Sequence, residues 1–175
     1  LSIYGYGIKA FVISMIETAI KIAGNTLPVD VISRIVEIGR TQLNQPVILL
    51  EGVEEVLLAL KDKFRLVVVT KGDLLDQESK LEKSGLSPYF HHIEIVSEKR
   101  ISDYQKLIRH LDIQPNEFLM IGNSLKSDVL PVLELGGLGV HVPFHTTLEH
   151  EKVDVIITNP GFRQVEHVNE ILMWI

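Results

Sequence analysis

The sequence predicts an α/β fold: a Rossmann-like, mostly parallel sheet with helices on both faces, preceded by a helical unit. Three observations point there. Residues 1 to about 45 carry helical spacing throughout, strand and helix patterns alternate after Pro46, and the strand-like runs are apolar without polar alternation. Strands covered on both faces read that way, and repeated β-α units imply parallel pairing.

The elements follow in order. Ile8, Phe11, Val12, Met15, Ile16, Ala19, Ile20 and Ala23 recur at spacings of three and four, one buried helical face, and Gly24-Asn25 ends it. A second helix carries Ile32, Ile35, Val36 and Leu43 between Pro28 and the run Asn44-Gln45-Pro46. A helix with Val53, Val56, Leu57 and Leu60 opens the alternating part, and the β-branched run Phe64 to Thr70 is its first strand. Then come a helix over Leu74 to Ser84 closed by Gly85, a strand at Ile93 to Val96, and a helix with Tyr104, Leu107, Ile108 and Leu111. A strand at Phe118 to Ile121, a helix from Lys126 to Leu135, strands at Leu138 to Val142 and Val155 to Thr158, and a last helix from Gln164 complete the reading. The boundary between the parts falls near Val47 to Gly52, giving a helical unit over 1–48 and a sheet domain over 49–175.

Composition narrows the function classes. At 175 residues, 46% hydrophobic and 23% charged, the chain has the size of one core domain with a small accessory unit. A net charge of -6 argues against nucleic acid, whose binding needs clustered Lys and Arg. The absence of cysteine excludes a disulfide framework, a thiolate metal site and a cysteine nucleophile, and suits a reducing, cytoplasmic setting. No uncharged apolar stretch approaches the roughly 18 residues of a membrane span, so no membrane partner is expected. The first residue is Leu1 and not methionine, so a further segment upstream is expected.

In open α/β sheets ligands bind at the carboxyl ends of strands, which singles out three places. In Thr70-Lys71-Gly72-Asp73 a hydroxyl, backbone N–H groups and the start of the next helix can hold phosphate oxygens; the same residues also make an ordinary capped β-α turn. Lys99 sits just beyond the strand ending at Val96, where an ammonium group can neutralise a phosphate, or can be one more solvated charge in Ser97 to Arg100. In Gly122-Asn123-Ser124-Leu125-Lys126-Ser127-Asp128, Asn123 and Asp128 can offer oxygens to a hard cation such as Mg²⁺; Asp128 is equally an acid favoured by a helix N-terminus.

Together, in this order, the three places resemble the later motifs of the haloacid dehalogenase superfamily. Thr70 resembles the hydroxyl of its second motif, Lys99 the lysine of its third, and Asn123 with Asp128 the acidic pair of its fourth. A helix, Pro115 and a strand separate Lys99 from Asn123, as in the family pattern. Lys106 is the competing lysine but falls inside a helix. Asn123 stands where the family usually has aspartate, which shifts metal affinity onto Asp128. The helical unit over 1–48 resembles the family's cap.

The resemblance implies a magnesium-dependent phosphatase of small phosphorylated metabolites, working through an aspartyl-phosphate. Thr70, Lys71 and Gly72 would hold the phosphoryl group, Lys99 would stabilise its charge, and Asp128 with Asn123 would hold Mg²⁺. Both catalytic aspartates belong to a first strand between those ending at Val69 and Ile121, and no segment upstream of Thr70 matches it. Such a strand, its loop and the opening of the cap amount to about 50 to 70 residues. The fragment alone is therefore expected to be inactive. The alternatives are a phosphotransferase or dehalogenase on the same scaffold, a regulatory relative, or a phosphorylation-controlled receiver domain, whose motif order differs. Oligomeric state is not legible.

Other candidates carry less. Gly5-Tyr6-Gly7 and Gly136-Gly137-Leu138-Gly139 lack the strand-before, helix-after context of a dinucleotide fingerprint. His91, His92, His141, His145 and His150 lack metal-ligand spacing and read as ordinary polar positions. Phe144 to Thr147 follows a strand and is a possible substrate contact, and Tyr4, Tyr6 and Lys9 either line a site or pack and cap a helix.

Overall fold

The computed structural model describes residues 3–146, 151, 153 and 156–175. In chain order the main elements are α1 (Ile8–Ala23), α2 (Val29–Asn44), α3 (Val53–Leu60), β1 (Val67–Lys71), α4 (Leu74–Ser84), β2 (His92–Val96) and α5 (Ile101–His110). They continue with β3 (Leu119–Gly122), a π-turn (Leu125–Val129), α6 (Leu130–Glu134), β4 (Leu138–His141), β5 (Phe162–Gln164) and a 3₁₀ helix (Val168–Met173). The fold is mixed α/β with parallel strands, as the sequence predicts. No helix among the described residues is long and apolar enough to cross a membrane.

Contacts divide the chain into two compact units. The first joins Leu1–Ile48 to Val68–Ser97. Here α1 and α2 pack as an antiparallel pair: Gly39, late in α2, lies so close to Val12 and Ile8 of early α1 that a Cβ there would collide with Val12. Ala10 and Ile35 are buried, whereas Phe11, which the helical spacing placed on the inner face, is 58% exposed. β1 and β2 form a two-stranded sheet whose carboxyl ends meet where the Gly72 N–H donates to the Val96 carbonyl at 3.4 Å. Asp73 caps α4 by accepting from the Asp76 N–H at 3.2 Å, and Gly85 ends it in the left-handed conformation, φ 72°.

The second unit joins Leu49–Val67 to Glu98–Ile175. Its sheet runs β3-β4-β5, all parallel, with Met120 opposite Gly139 and Val140 opposite Arg163. Tyr104, Val129, Val132, Val140 and Ile171 form its fully buried centre. α5 starts at Ile101, two residues beyond Lys99, because the Asp103 carboxylate reaches back to the N–H of its cap, Arg100, at 3.2 Å.

Two readings at the C-terminal end are corrected. Of the expected strand at Val155 to Thr158, Val155 lies outside the described residues, Ile156 to Thr158 are not strand, and Ile156 is 95% exposed. The strand is instead β5, entered through a turn in which Asn159 Oδ1 accepts the Gly161 N–H at 2.8 Å. Asn-Pro-Gly chemistry sets where the chain joins the sheet, and the β-branched run before it is left outside. Gln164, expected to begin the last helix, therefore ends a strand, and the helix is the 3₁₀ segment Val168–Met173. The helix expected from Lys126 begins as the π-turn Leu125–Val129 and becomes α-helical only at Leu130.

Candidate active site

The carboxyl end of β3 gathers the most constrained polar cluster in the second unit. Gly122 ends the strand, and the Asp128 side chain lies directly over it; a Cβ at position 122 would overlap the carboxylate. The next residues turn into the wide π-turn, where the Asp128 and Val129 N–H groups both donate to the Ser124 carbonyl, at 2.9 and 3.3 Å. One Asp128 oxygen, Oδ2, accepts from the Ser124 N–H at 3.0 Å. The other, Oδ1, lies 2.6 Å from Lys99 Nζ. The pair is buried, with side-chain exposures of 12% for Lys99 and 5% for Asp128. Two opposite charges held together out of water need such hydrogen bonds to offset their desolvation.

Around this pair stand residues that the motif reading passed over. Ser124 Oγ accepts from the Ser127 N–H at 3.0 Å and donates to Glu151 Oε2 at 2.5 Å; Ser127 Oγ donates to the same oxygen at 2.5 Å. The Tyr104 hydroxyl, fully buried, donates to the Ser127 carbonyl at 3.0 Å. Burial, then the negative charges of Asp128 and Glu151, push the Tyr104 pKa well above the usual tyrosine range. His141, read from sequence as an ordinary polar position, donates from Nε2 to the Asn123 carbonyl at 3.1 Å and faces the Gln164 side chain with Nδ1 at 3.1 Å. Asn123 itself is exposed at the strand end. Lys106 is 73% exposed and, among the described residues, pairs with Asp103 at 3.6 Å. Nothing in the spacing of the sequence marks Glu151 or Tyr104, since both partners lie more than 20 residues away in the chain.

The donor types suit a hard cation: a carboxylate held over the strand end, and in Asn123 an exposed amide residue directly after Gly122 in the chain. Among the described residues no group of three His, Asp or Glu gathers as a metal cage. Mg²⁺ accepts this, because it commonly takes one or two protein carboxylates and keeps waters.

In the first unit, Thr70, Lys71 and Gly72 lie together at the end of β1. Thr70 Oγ1 donates to Gln77 Oε1 at 3.1 Å, and the Gln77 side chain packs over Gly72. Lys71 Nζ sits 4.6 Å above the Tyr6 ring. A cleft of about 220 Å³ is lined by Tyr4, Tyr6, Lys9, Gly72, Asp73 and Ser97, among others. Lys9 Nζ spans it to Asp73 Oδ1 at 2.9 Å, and that hydrogen bond is the main cause holding the Asp73 carboxyl below its usual range. Tyr4 donates to Glu17 at 2.8 Å. Phe144 and His145 lie ring to ring at 4.2 Å; Thr147 and His150 lie outside the described residues.

Comparison with known proteins identifies the family. The model of the haloacid dehalogenase-like hydrolase family matches residues 7–136. A haloacid dehalogenase-like family hydrolase from Xanthomonas campestris superposes with a TM-score of 0.84 at 43% identity, covering 95% of this chain and 66% of that one. An HAD phosphatase from Thermococcus onnurineus shares the fold, with a TM-score of 0.60 at 21% identity over 72% of this chain and 57% of that one. Among curated proteins, the N-acylneuraminate-9-phosphatase of Homo sapiens is 29% identical over 97 residues, 53% of this chain and 39% of that protein. The match thus spans well under half the length of that relative. With the family model covering most of the chain and a solved member superposing on it, the chain belongs to the haloacid dehalogenase-like hydrolases.

Proposed function

We propose that the protein hydrolyses phosphate monoesters of small metabolites through an aspartyl-phosphate, with Mg²⁺ bound by Asp128 and Asn123. The observation that carries this reading is the buried Lys99–Asp128 pair over Gly122. A lysine and a carboxylate at a strand end form the two halves of a charge-balancing device: one for phosphoryl oxygens, one for a cation. The phosphatase relatives support the choice of reaction. Bound there, Mg²⁺ would supply charge neutralisation for the transferring phosphoryl group.

In this reading Lys99 donates to a phosphoryl oxygen, and its charge is worth most where water is excluded. The Thr70 hydroxyl and the Lys71 and Gly72 backbone N–H groups hold the other oxygens. Thr70 must leave Gln77 to do so, and the Gly72 N–H its long bond to Val96. An aspartate attacks phosphorus, the ester oxygen leaves with a proton from a second carboxylic acid, and water then cleaves the acyl phosphate. Those two acids are assigned to a strand outside residues 1–175. The support is topological: among the described residues β1 pairs only with β2, and β3 only with β4. The α1–α2 pair acts as the cap over the substrate, and the Tyr4-Tyr6-Lys9 cleft takes the part of the substrate beyond the phosphate. The cysteine-free composition is compatible with a reducing, cytoplasmic compartment, the location assigned in this reading.

The test is a panel of phosphate monoesters offered to the full-length protein with Mg²⁺ and with EDTA. Phosphate release that disappears with EDTA is the expected result. Release of halide from a 2-haloacid without metal would overturn the phosphatase reading in favour of a dehalogenase.

A further inference from the structure

We propose that Glu151 is a positioning residue for the metal-binding carboxylate, acting through the hydroxyls of Ser124 and Ser127. The inference rests on the reading of Asp128 as a Mg²⁺ ligand. Asp128 owes its aim to two contacts, the Lys99 ammonium and the Ser124 N–H. Lys99 is claimed by the phosphoryl group when substrate binds, so in the working enzyme the direction of the carboxylate depends on Ser124. Ser124 lies at the mouth of a π-turn, a wide and rare geometry for which rearrangement to an ordinary helical turn is the competing state.

Glu151 opposes that rearrangement. A serine hydroxyl rotates and can donate to any nearby acceptor. With Glu151 Oε2 at 2.5 Å, Ser124 Oγ is fixed as a donor to the carboxylate and keeps a lone pair toward the Ser127 N–H at 3.0 Å. Ser127 Oγ, at 2.5 Å from the same oxygen, ties the other end of the turn to the same point. Hydroxyl-to-carboxylate bonds of this length belong to the charge-assisted class, about twice as strong as neutral ones. One carboxylate oxygen therefore locks both ends of the turn whose middle carries Asp128. Tyr104 fixes the turn from its other side, through the Ser127 carbonyl.

The experiment measures Mg²⁺ binding to the full-length protein by calorimetry, with thermal unfolding in parallel, for wild type, Glu151→Ala and Glu151→Gln. Loss of a group orienting a metal ligand lowers affinity by about 10- to 100-fold. Glu151→Ala is expected to lose that much, with a lowered Tm from the two lost hydrogen bonds but a cooperative unfolding transition that shows the binding assay is made on folded protein. Glu151→Gln keeps an oxygen that accepts from both hydroxyls and is expected to lose several-fold less than the alanine variant. Hydrogen exchange at the Ser124 and Ser127 amides should accelerate in Glu151→Ala alone. Unchanged Mg²⁺ affinity in Glu151→Ala overturns the inference, as does a glutamine variant as impaired as alanine, which would make Glu151 a remote charge. A wild-type protein that binds no Mg²⁺ overturns the metal reading and this inference with it.

Discussion

Two lysine–aspartate pairs, one in each unit, differ mainly in how much water reaches them. Lys9–Asp73 spans a cleft at 2.9 Å with side-chain exposures of 53% and 30%; Lys99–Asp128 closes to 2.6 Å with 12% and 5%. In the first, solvent screens the attraction, and either partner can turn to water or to a ligand at small cost. In the second, each partner is the other's main compensation for lost hydration. The difference teaches that the ion pair alone marks neither site. Burial decides which pair the fold depends on, and how strong a new partner must be to draw one of its members away.

The largest effect should come from breaking the buried pair. Lys99→Ala leaves the Asp128 carboxylate buried beside only the Ser124 N–H, and breaking such a pair costs about 3–5 kcal/mol. Denaturant unfolding should show that loss, and the double variant Lys99→Met with Asp128→Asn should recover much of it. A Lys99→Ala protein as stable as wild type would mean the pair is more solvated than its geometry indicates. The 2.6 Å contact with a buried carboxylate thus adds a stability loss to the turnover loss expected when a charge-stabilising lysine is removed.

A smaller effect is expected at Tyr104, which buttresses the same turn without carrying charge. Tyr104→Phe removes one hydrogen bond to the Ser127 carbonyl, about 1 kcal/mol. Its pH dependence has a definite sign. The folded-state pKa is raised, so the stabilisation is complete below the unfolded value of about 10 and declines as pH rises above it, where only the unfolded chain loses the proton. Unfolding measured at pH 8 and pH 10.5 should show an alkaline loss in wild type that is weaker in Tyr104→Phe.

The smallest effect belongs to the open pair. Lys9→Ala should change stability by no more than about 1 kcal/mol, as exposed pairs do. If the cleft takes the substrate's non-phosphate part, the same variant raises KM and leaves Mg²⁺ affinity unchanged. Stability loss equal to that of Lys99→Ala would erase the contrast between the two units.

The same contrast explains what the sequence discloses. Val67 to Thr70 is legible because a β-branched run bounded by a β-α turn has one physical reading, and Asp128 because its six-residue offset from Gly122 is local. β5 was not legible: Phe162-Arg163-Gln164 has weak strand preference and is placed by the Asn159 turn and by pairing with β4. Glu151 was not legible for a related reason. Its hydrogen bonds to Ser124 and Ser127 close over 27 and 24 residues, and no periodicity encodes a contact of that span.

The central claim, that Lys99 and not another lysine faces the reacting phosphate, is tested most directly by turnover. Phosphate release from a generic phosphate ester should be measured with saturating Mg²⁺ for full-length wild type, Lys99→Ala and Lys106→Ala, at a temperature where all three are folded. Removing one charge-stabilising donor lowers kcat by about 100-fold or more, so Lys99→Ala should fall at least that far while Lys106→Ala stays near wild type. Near-full activity in Lys99→Ala with loss in Lys106→Ala would contradict the account and move the charge-stabilising role into α5.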